Sequence, residues 1–247
     1  MLDRVRRVTA SVVVVAVVCS FSMRGLAASF LLGGEANGLT GLSSKTLSRA
    51  GISMSLAVGV NLPGAVFDEA DARGVTINSS AVPGVTDVDG STKINLLAGP
   101  VATESLTFSF DKAGVIDDLL FDGITDDALE YFRLESSGGY LATFFDFEIP
   151  AIVDVGLITE PNIEYMYTGV GFNDDRFGIN IPFQAGEMFT LSYGQVDALV
   201  PTGGSLGNGG RFGGVNVHAV PEPGGAMLLV AVAIAALRMR RKIAMKR

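Results

Sequence analysis

Apolar and polar residues alternate along four stretches of the chain, at residues 52–60, 105–110, 140–149 and 177–183. A period of two predicts strands with one face buried and the other in solvent. In the fourth stretch Pro182 lacks the amide proton that a central strand needs, so this strand is expected at a sheet edge or at its own end. In the third stretch one face is predicted to carry Leu141, Thr143, Phe145, Phe147 and Ile149.

Shorter apolar stretches predict further strands, at residues 75–78, 92–97, 115–121, 131–135, 151–158, 163–168, 188–193 and 214–219. Turn residues such as Asp, Asn and Gly separate them. Helical signals are confined to residues 41–50 and 125–130, with one or two turns each. The pattern predicts an all-β fold, a single β-sandwich or jelly-roll-like domain. A glycine-rich loop is expected at residues 201–214.

Residues 1–27 have the three parts of a secretory signal peptide. Arg4, Arg6 and Arg7 form a basic start, and an apolar core follows at residues 8–18. The small residues that end the segment suit signal peptidase. Cleavage is predicted after Ala27, with the neighbouring position after Ala28 as the alternative.

The last 28 residues also have three parts in a fixed order. The proline-bracketed motif at the start is Val220, Pro221, Glu222 and Pro223. An apolar helix is predicted at residues 226–237, and a basic tail occupies 238–247, with the basic stop at Arg238, Arg240, Arg241 and Lys242. A helix over 224–237 would be about 21 Å long, shorter than the ~30 Å hydrocarbon core of a bilayer. Because both termini are basic, the positive-inside rule places residues 28–219 outside the cytoplasm.

This C-terminal segment resembles the PEP-CTERM sorting signal of exported bacterial proteins in residue types, order and position. The resemblance covers residues 220–247. It implies export across the inner membrane, transient anchoring by the short helix, and cleavage by an exosortase, a membrane protease. It also implies a final location in the envelope, at the surface or in an exopolysaccharide matrix. An ordinary C-terminal anchor is the alternative.

Removing both ends changes the charge of the protein. Residues 28–223 hold 8 of the 18 Lys and Arg and 25 of the 26 Asp and Glu, a formal net charge of −17 against −8 for the whole chain. Nucleic acid is therefore excluded as a partner, since phosphate binding needs a basic surface. The single cysteine, Cys19, lies in the signal peptide, so no disulfide is expected in the domain.

Catalytic chemistry has few residues to draw on. His218 is the only histidine and is interpreted as a surface residue on the last strand. A Ser-His-Asp site would have to be built on it, and a Cys/His zinc site is excluded by residue counts. A glycoside hydrolase needs two facing carboxylates, and the chain contains no tryptophan for stacking on sugars. We therefore expect a protein that is not an enzyme.

Calcium is the cofactor for which the sequence offers ligands, because hard cations prefer carboxylate and loop oxygens. The candidate ligands lie in three turns and are Asp87, Asp89, Asp122, Asp126, Asp127, Asp174 and Asp175. The competing interpretation is that they are solvated turn residues and that no cofactor is bound. The adjacent Asp117 and Asp118 interrupt an apolar stretch, so one of them should face solvent, a cation or a β-bulge.

Together these features predict a non-catalytic exported protein of the surface or extracellular matrix. Its expected partners are signal peptidase, an exosortase and exopolysaccharide. The alternative function is a carbohydrate- or calcium-binding β-sandwich module at the cell surface. A carboxylate-dependent hydrolase is the third class.

Overall fold

The computed structural model describes residues 26–33, 37–69, 74–84, 86–87, 94, 97–98, 103–122, 130–145, 163–165, 175–195 and 209–220. This part of the protein is all-β, with fifteen strands, so the predicted fold class is confirmed at that level. None of the described residues lies in an α-helix. Within the same ranges, no helix has the length and apolar character needed to cross a membrane.

The strands are β1 (Ala27–Leu31), β2 (Ser44–Arg49), β3 (Ile52–Val58), β4 (Val66–Asp68), β5 (Thr76–Asn78), β6 (Thr86–Asp87), β7 (Leu97–Ala98), β8 (Ser105–Phe110), β9 (Gly114–Asp122), β10 (Glu130–Ser136), β11 (Leu141–Phe145), β12 (Ile163–Tyr165), β13 (Asp175–Phe183), β14 (Phe189–Gln195) and β15 (Arg211–Ala219). They form a four-stranded sheet in the order β1-β15-β9-β13 and a seven-stranded sheet in the order β12-β11-β10-β14-β8-β3-β2. Strands β4 and β5 pair with each other, as do β6 and β7.

Phenylalanine rings from the two larger sheets contact one another, which places the core between the sheets. Phe121 of β9 stacks on Phe132 of β10 with ring centroids 4.8 Å apart. At the other end of the core, Phe110 of β8 lies 4.8 Å from Phe183 of β13. These side chains are at most 3 % exposed. Aromatic pairs in these geometries add to the stabilisation from apolar burial.

Most of the predicted strands are confirmed, and for β3 and β8 so is the inward face. Along β8 the phenylalanines and Leu106 are buried while Thr107 and Ser109 are half-buried, as the alternation predicts, whereas Ser105 is buried as well. Strands β9, β10 and β14 cover the predicted stretches 115–121, 131–135 and 188–193 to within two residues at each end. Strand β13 is an edge strand, which confirms the position inferred from Pro182.

Several predictions are wrong. The helical turn expected within residues 41–50 is replaced by β2, because its residues pair with β3 from Ser44 to Arg49. The strand predicted at 52–60 ends at Val58, and Val60 is 93 % exposed. The last strand begins at Arg211 rather than at residue 214, so it takes up the end of the predicted glycine-rich loop.

The inward face of β11 is also not the one predicted. Phe144 contacts both Phe121 and Phe177 of the opposite sheet, whereas Phe145 packs on Tyr131 within its own sheet. Both faces of this strand are buried from residue 142 onward, so alternation carried no information on its orientation. The predicted elements at residues 1–25, 125–129, 151–158, 201–208 and 221–247 lie outside the described residues.

Candidate functional site

The described fold begins and ends on two strands that pair with each other. Strands β1 and β15 are antiparallel, with Ala27 opposite His218 and Ala28 opposite Val217. Ala28 is 7 % exposed. The predicted cleavage position therefore falls inside a paired strand at the edge of the four-stranded sheet.

Strand β1 is fixed to the fold by its central residue. Phe30 is 1 % exposed, and its ring lies 5.9 Å from that of Phe110 in the facing sheet. Its neighbour Gly214 has a φ of +141°, and a Cβ there would overlap the carbonyl oxygen of Phe30. Glycine is thus required at this close approach of two backbones.

The sorting motif follows directly on β15. Val220 is 49 % exposed and comes immediately after the strand ends at Ala219. Pro221, Glu222 and Pro223 lie outside the described residues. The basic residues of the tail lie outside them as well, namely Arg238, Arg240, Arg241 and Lys242.

A polar network covers the middle of the four-stranded sheet on its outer side. Asp118 of β9 accepts hydrogen bonds from Arg176 Nη2 at 2.7 Å and Asn216 Nδ2 at 3.0 Å, both on its Oδ2. The hydrogen bond from Arg176 is the main cause that lowers the pKa of Asp118, against a smaller opposing effect of burial. The β9–β13 register shifts at this level, between Gly178 and Ile181. Of the three explanations predicted for an aspartate here, solvent, a cation or a β-bulge, a cation and a register shift are found at this level.

The other aspartate of the pair binds the histidine. His218 Nδ1 lies 2.8 Å and 3.0 Å from the two carboxylate oxygens of Asp117, and the imidazole is 41 % exposed. His218 is therefore a surface residue of the last strand, as predicted. Among the described residues, no serine or threonine hydroxyl is within hydrogen-bond distance of its ring.

Of the predicted calcium ligands, Asp122 and Asp175 lie on neighbouring strands, and Asp87 lies on another sheet. Asp122 ends β9, and Asp175 begins the neighbouring β13 opposite Phe121. Asp122 is buried and accepts a hydrogen bond from Arg211 Nη1 at 2.8 Å. A guanidinium thus already neutralises this carboxylate. Asp87 is on β6, in the two-stranded β6–β7 sheet.

The remaining predicted ligands, Asp89, Asp126, Asp127 and Asp174, lie outside the described residues. Within the described ranges, no group of three or more carboxylate, histidine or cysteine side chains is arranged to hold a metal ion. Asp122 at the end of β9 and Asp175 at the start of β13 are the predicted ligands that lie on neighbouring strands.

The outer side of the seven-stranded sheet carries a surface that we call the hydroxyl face. It consists of the outward residues of β2, β3, β8 and β14, which are serine or threonine except Ala57 and Gly194, and of which Ser105 is buried. In register order these are Ser44, Thr46, Ser48, Ser53, Ser55, Ala57, Ser105, Thr107, Ser109, Thr190, Ser192 and Gly194. Their alternation with buried apolar residues is visible in the sequence, but sequence reasoning did not use it as a site signal.

Part of the hydroxyl face forms a groove of about 490 Å³. Ser44, Thr46 and Ser55 are exposed within it. Across β2 and β3 the hydroxyls of Thr46 and Ser55 are 3.2 Å apart, and those of Ser48 and Ser53 are 3.0 Å apart. The groove is lined by hydroxyl side chains and Ala57 together with the larger side chains of Lys45, Leu56, Phe108 and Met188.

The three tyrosines whose side chains the structure describes have different surroundings. Tyr193 is 3 % exposed and packs edge-on against Phe132, so it is a core residue. Tyr131 and Tyr140 are half-buried. A Cβ at Gly194 would overlap the ring of Tyr131, so this ring lies flat against the sheet.

Comparison with known proteins gives no relative for the chain. No family model, curated protein or solved structure matches it. Its function is therefore inferred from its residues and their arrangement.

Proposed function

We propose that the chain is an exported, non-catalytic protein of the cell surface or extracellular matrix. It carries a PEP-CTERM signal that an exosortase cleaves, and it works without a resident cofactor. The observation that carries the proposal is the three-part segment at residues 220–247: Pro-Glu-Pro motif, short apolar stretch and basic tail in that order. The short apolar stretch suits transient rather than permanent anchoring.

The start of the first strand and the end of the last strand support this proposal. Strand β1 begins at Ala27, where signal peptidase cleavage is predicted, and β15 ends at Ala219, one residue before the motif. Val220, the first residue of the motif, lies outside the last strand and is exposed, so this residue is accessible to a protease. Signal peptidase and the exosortase would then trim the chain to the folded domain.

We further propose that the domain is a β-sandwich of the jelly-roll kind. The support comes from strands β1, β8, β9, β10, β11, β13, β14 and β15. Numbered one to eight along the chain, they lie in the orders 1-8-3-6 and 2-7-4-5 in the two larger sheets. In this arrangement the chain passes from one sheet to the other at every connection but one, which is how a jelly roll wraps. Strands β2 and β3 extend the second sheet.

The experiment that tests the sorting proposal is performed in the native host. Intact mass and terminal sequencing are measured on the protein from membrane and released fractions. The expected mature species starts near Ala28 and ends near Pro223. Replacing Pro221, Glu222 and Pro223 together with alanine is expected to leave the uncleaved tail in the membrane fraction.

A matched control replaces Ser205, Leu206 and Asn208, upstream of the last strand, with alanine. This control is expected to be processed like the natural protein. Normal release of the triple motif variant would refute the exosortase proposal. So would an intact residue range 226–247 on every molecule of the natural protein.

A further inference from the structure

The hydroxyl face differs from an ordinary solvated sheet face in its lack of charge. Exposed faces of soluble proteins usually carry Lys, Glu, Asp or Arg at many positions. Here the outward residues of β2, β3, β8 and β14 are Ser, Thr, Ala or Gly. Formal charges adjoin this side at Asp111, whose Oδ1 accepts a hydrogen bond from the backbone N–H of Ser53, and in the next strand, where Arg133 pairs with Glu135 at 2.9 Å.

The register of these strands arranges the hydroxyls as a grid. Neighbouring strands lie about 4.8 Å apart, and outward residues repeat about every 6.8 Å along each strand. Thr46, Ser55 and Ser109 form one row across three strands. Each hydroxyl can donate one hydrogen bond and accept two, so the grid presents many alternating donors and acceptors.

The groove also has an apolar side. Met188 lies along it and is 50 % exposed, and Ala57 interrupts the row of hydroxyls. A thioether side chain adapts its shape to an irregular apolar surface. A ligand that fits this groove therefore combines closely spaced hydroxyls with apolar C–H faces, which is the chemistry of a sugar ring.

Charge restricts the class of sugar. The region 28–223 has a net charge of −17, so an anionic polysaccharide would be repelled over the Debye length of about 10 Å at ordinary salt. The outward side chains of the groove carry no formal charge, and the ammonium of Lys45, which also lines the groove, binds the carbonyl oxygens of Asn37 and Gly38. A neutral polymer binds such a surface without losing hydration of any ion.

We propose that the groove over β2, β3 and β8 is a binding site for a neutral polysaccharide, bound by its hydroxyl rows and by the side chain of Met188. The proposal rests on the proposed function, because a matrix protein encounters polysaccharide outside the cell. It names the surface and the ligand class for that role. The β2–β3 hairpin, which lies beyond the eight jelly-roll strands, supplies half of the site.

Affinity electrophoresis in native gels tests this proposal with the mature protein purified from its host. The gels contain hydroxyethylcellulose, dextran or amylopectin as neutral probes and alginate as the anionic probe. Retardation is expected in at least one neutral gel and not in alginate. Ser55→Lys, in the middle of the groove, is expected to weaken binding about tenfold or more, because the longer side chain blocks the groove and leaves several polar groups without their hydrogen bonds.

The matched control is Ser48→Lys, which adds the same charge on the same side of the hairpin but outside the groove. It is expected to bind like the natural protein. Thr46→Lys, on the exposed edge strand, replaces Ser55→Lys should the latter lower the unfolding midpoint. Absence of retardation in all neutral gels, retardation in alginate alone, or equal losses in groove and control variants would each overturn the proposal.

Self-association is the competing use of the face. A dimer seen by analytical ultracentrifugation that Ser55→Lys dissociates would also overturn the proposal. These variants leave residues 220–247 unchanged, so the terminal masses of each variant report on sorting separately. A failed sugar site therefore remains distinguishable from a failed sorting signal.

Discussion

Arg176 donates a hydrogen bond from Nη2 to Oδ2 of Asp118 over 2.7 Å, across the neighbouring strands β13 and β9. The guanidinium is 60 % exposed and the carboxylate 13 %. The neighbouring Asp117 is bonded to His218 on the same side of the sheet. Each of the two consecutive aspartates that interrupt the apolar strand β9 therefore has a polar partner, a guanidinium for Asp118 and an imidazole for Asp117.

The pair makes stability depend on pH in a defined direction. The pKa of Asp118 is lowered in the folded protein, chiefly by the hydrogen bond from Arg176. Its contribution is present above the ordinary carboxyl pKa and is lost as pH falls through the lowered value. Urea unfolding of the natural protein and Asp118→Asn is expected to differ at about pH 6 and to converge by about pH 2. A constant difference across this range would contradict the assignment.

Phe30 is expected to hold the first strand in place. Phe30→Ala removes a buried ring that contacts Phe110 and should cost about 3–5 kcal/mol of unfolding free energy. Leu31→Ala, one residue along and 61 % exposed, should change it by less than about 0.5 kcal/mol. Equal effects of the two variants in urea unfolding would show that β1 does not contribute Phe30 to the core.

Gly214 is expected to tolerate no side chain. Gly214→Ala places a Cβ against the backbone of Phe30 and should destabilise the fold by about 3 kcal/mol or more. Gly139→Ala is the control, because Gly139 also has a positive φ, +94°, but has open space around it. Its cost should be about 1 kcal/mol. The difference between the unfolding midpoints of the two variants measures the steric contact at Gly214. Similar losses of stability in both variants would argue against a close approach of β1 and β15.

Asp122 is expected to be a structural residue. Asp122→Asn leaves Arg211, whose side chain is 15 % exposed, without its carboxylate and should cost about 3 kcal/mol. Glu135→Gln breaks the exposed pair with Arg133 and should cost less than about 1 kcal/mol. Both costs should be equal in calcium and in EGTA. A calcium-dependent rise of the unfolding midpoint that Asp122→Asn removes would instead support the calcium hypothesis.

The sequence alone predicts most of the β-strands of the fold. Alternation identifies the inward faces of β3 and β8, because burying one face of a strand selects apolar residues at every second position. Pro182 places β13 at an edge for the equally local reason that it lacks an amide proton. The two ends are predicted to be sorting signals because their charges, the length of their apolar stretches and the positions of the prolines are all properties of short local segments.

The sequence could not predict elements that form, or take their orientation, only because other strands pair with them or cover them. Residues 44–49 form β2 because β3 pairs with them, and Phe144 faces the core only because both faces of β11 are covered. The candidate sites are equally non-local. His218 contacts Asp117 and Arg211 contacts Asp122, although the two partners are 101 and 89 positions apart in the sequence, respectively.

The strand-forming stretches, the acidic balance and the predicted export signals can be read from the sequence, since each depends on residues close together in the chain. The tertiary structure decided which strands are neighbours, which aspartates gain a cation, and how serines and threonines from four strands form one uncharged face. These depend on packing between segments far apart in sequence, which periodicity and composition do not encode.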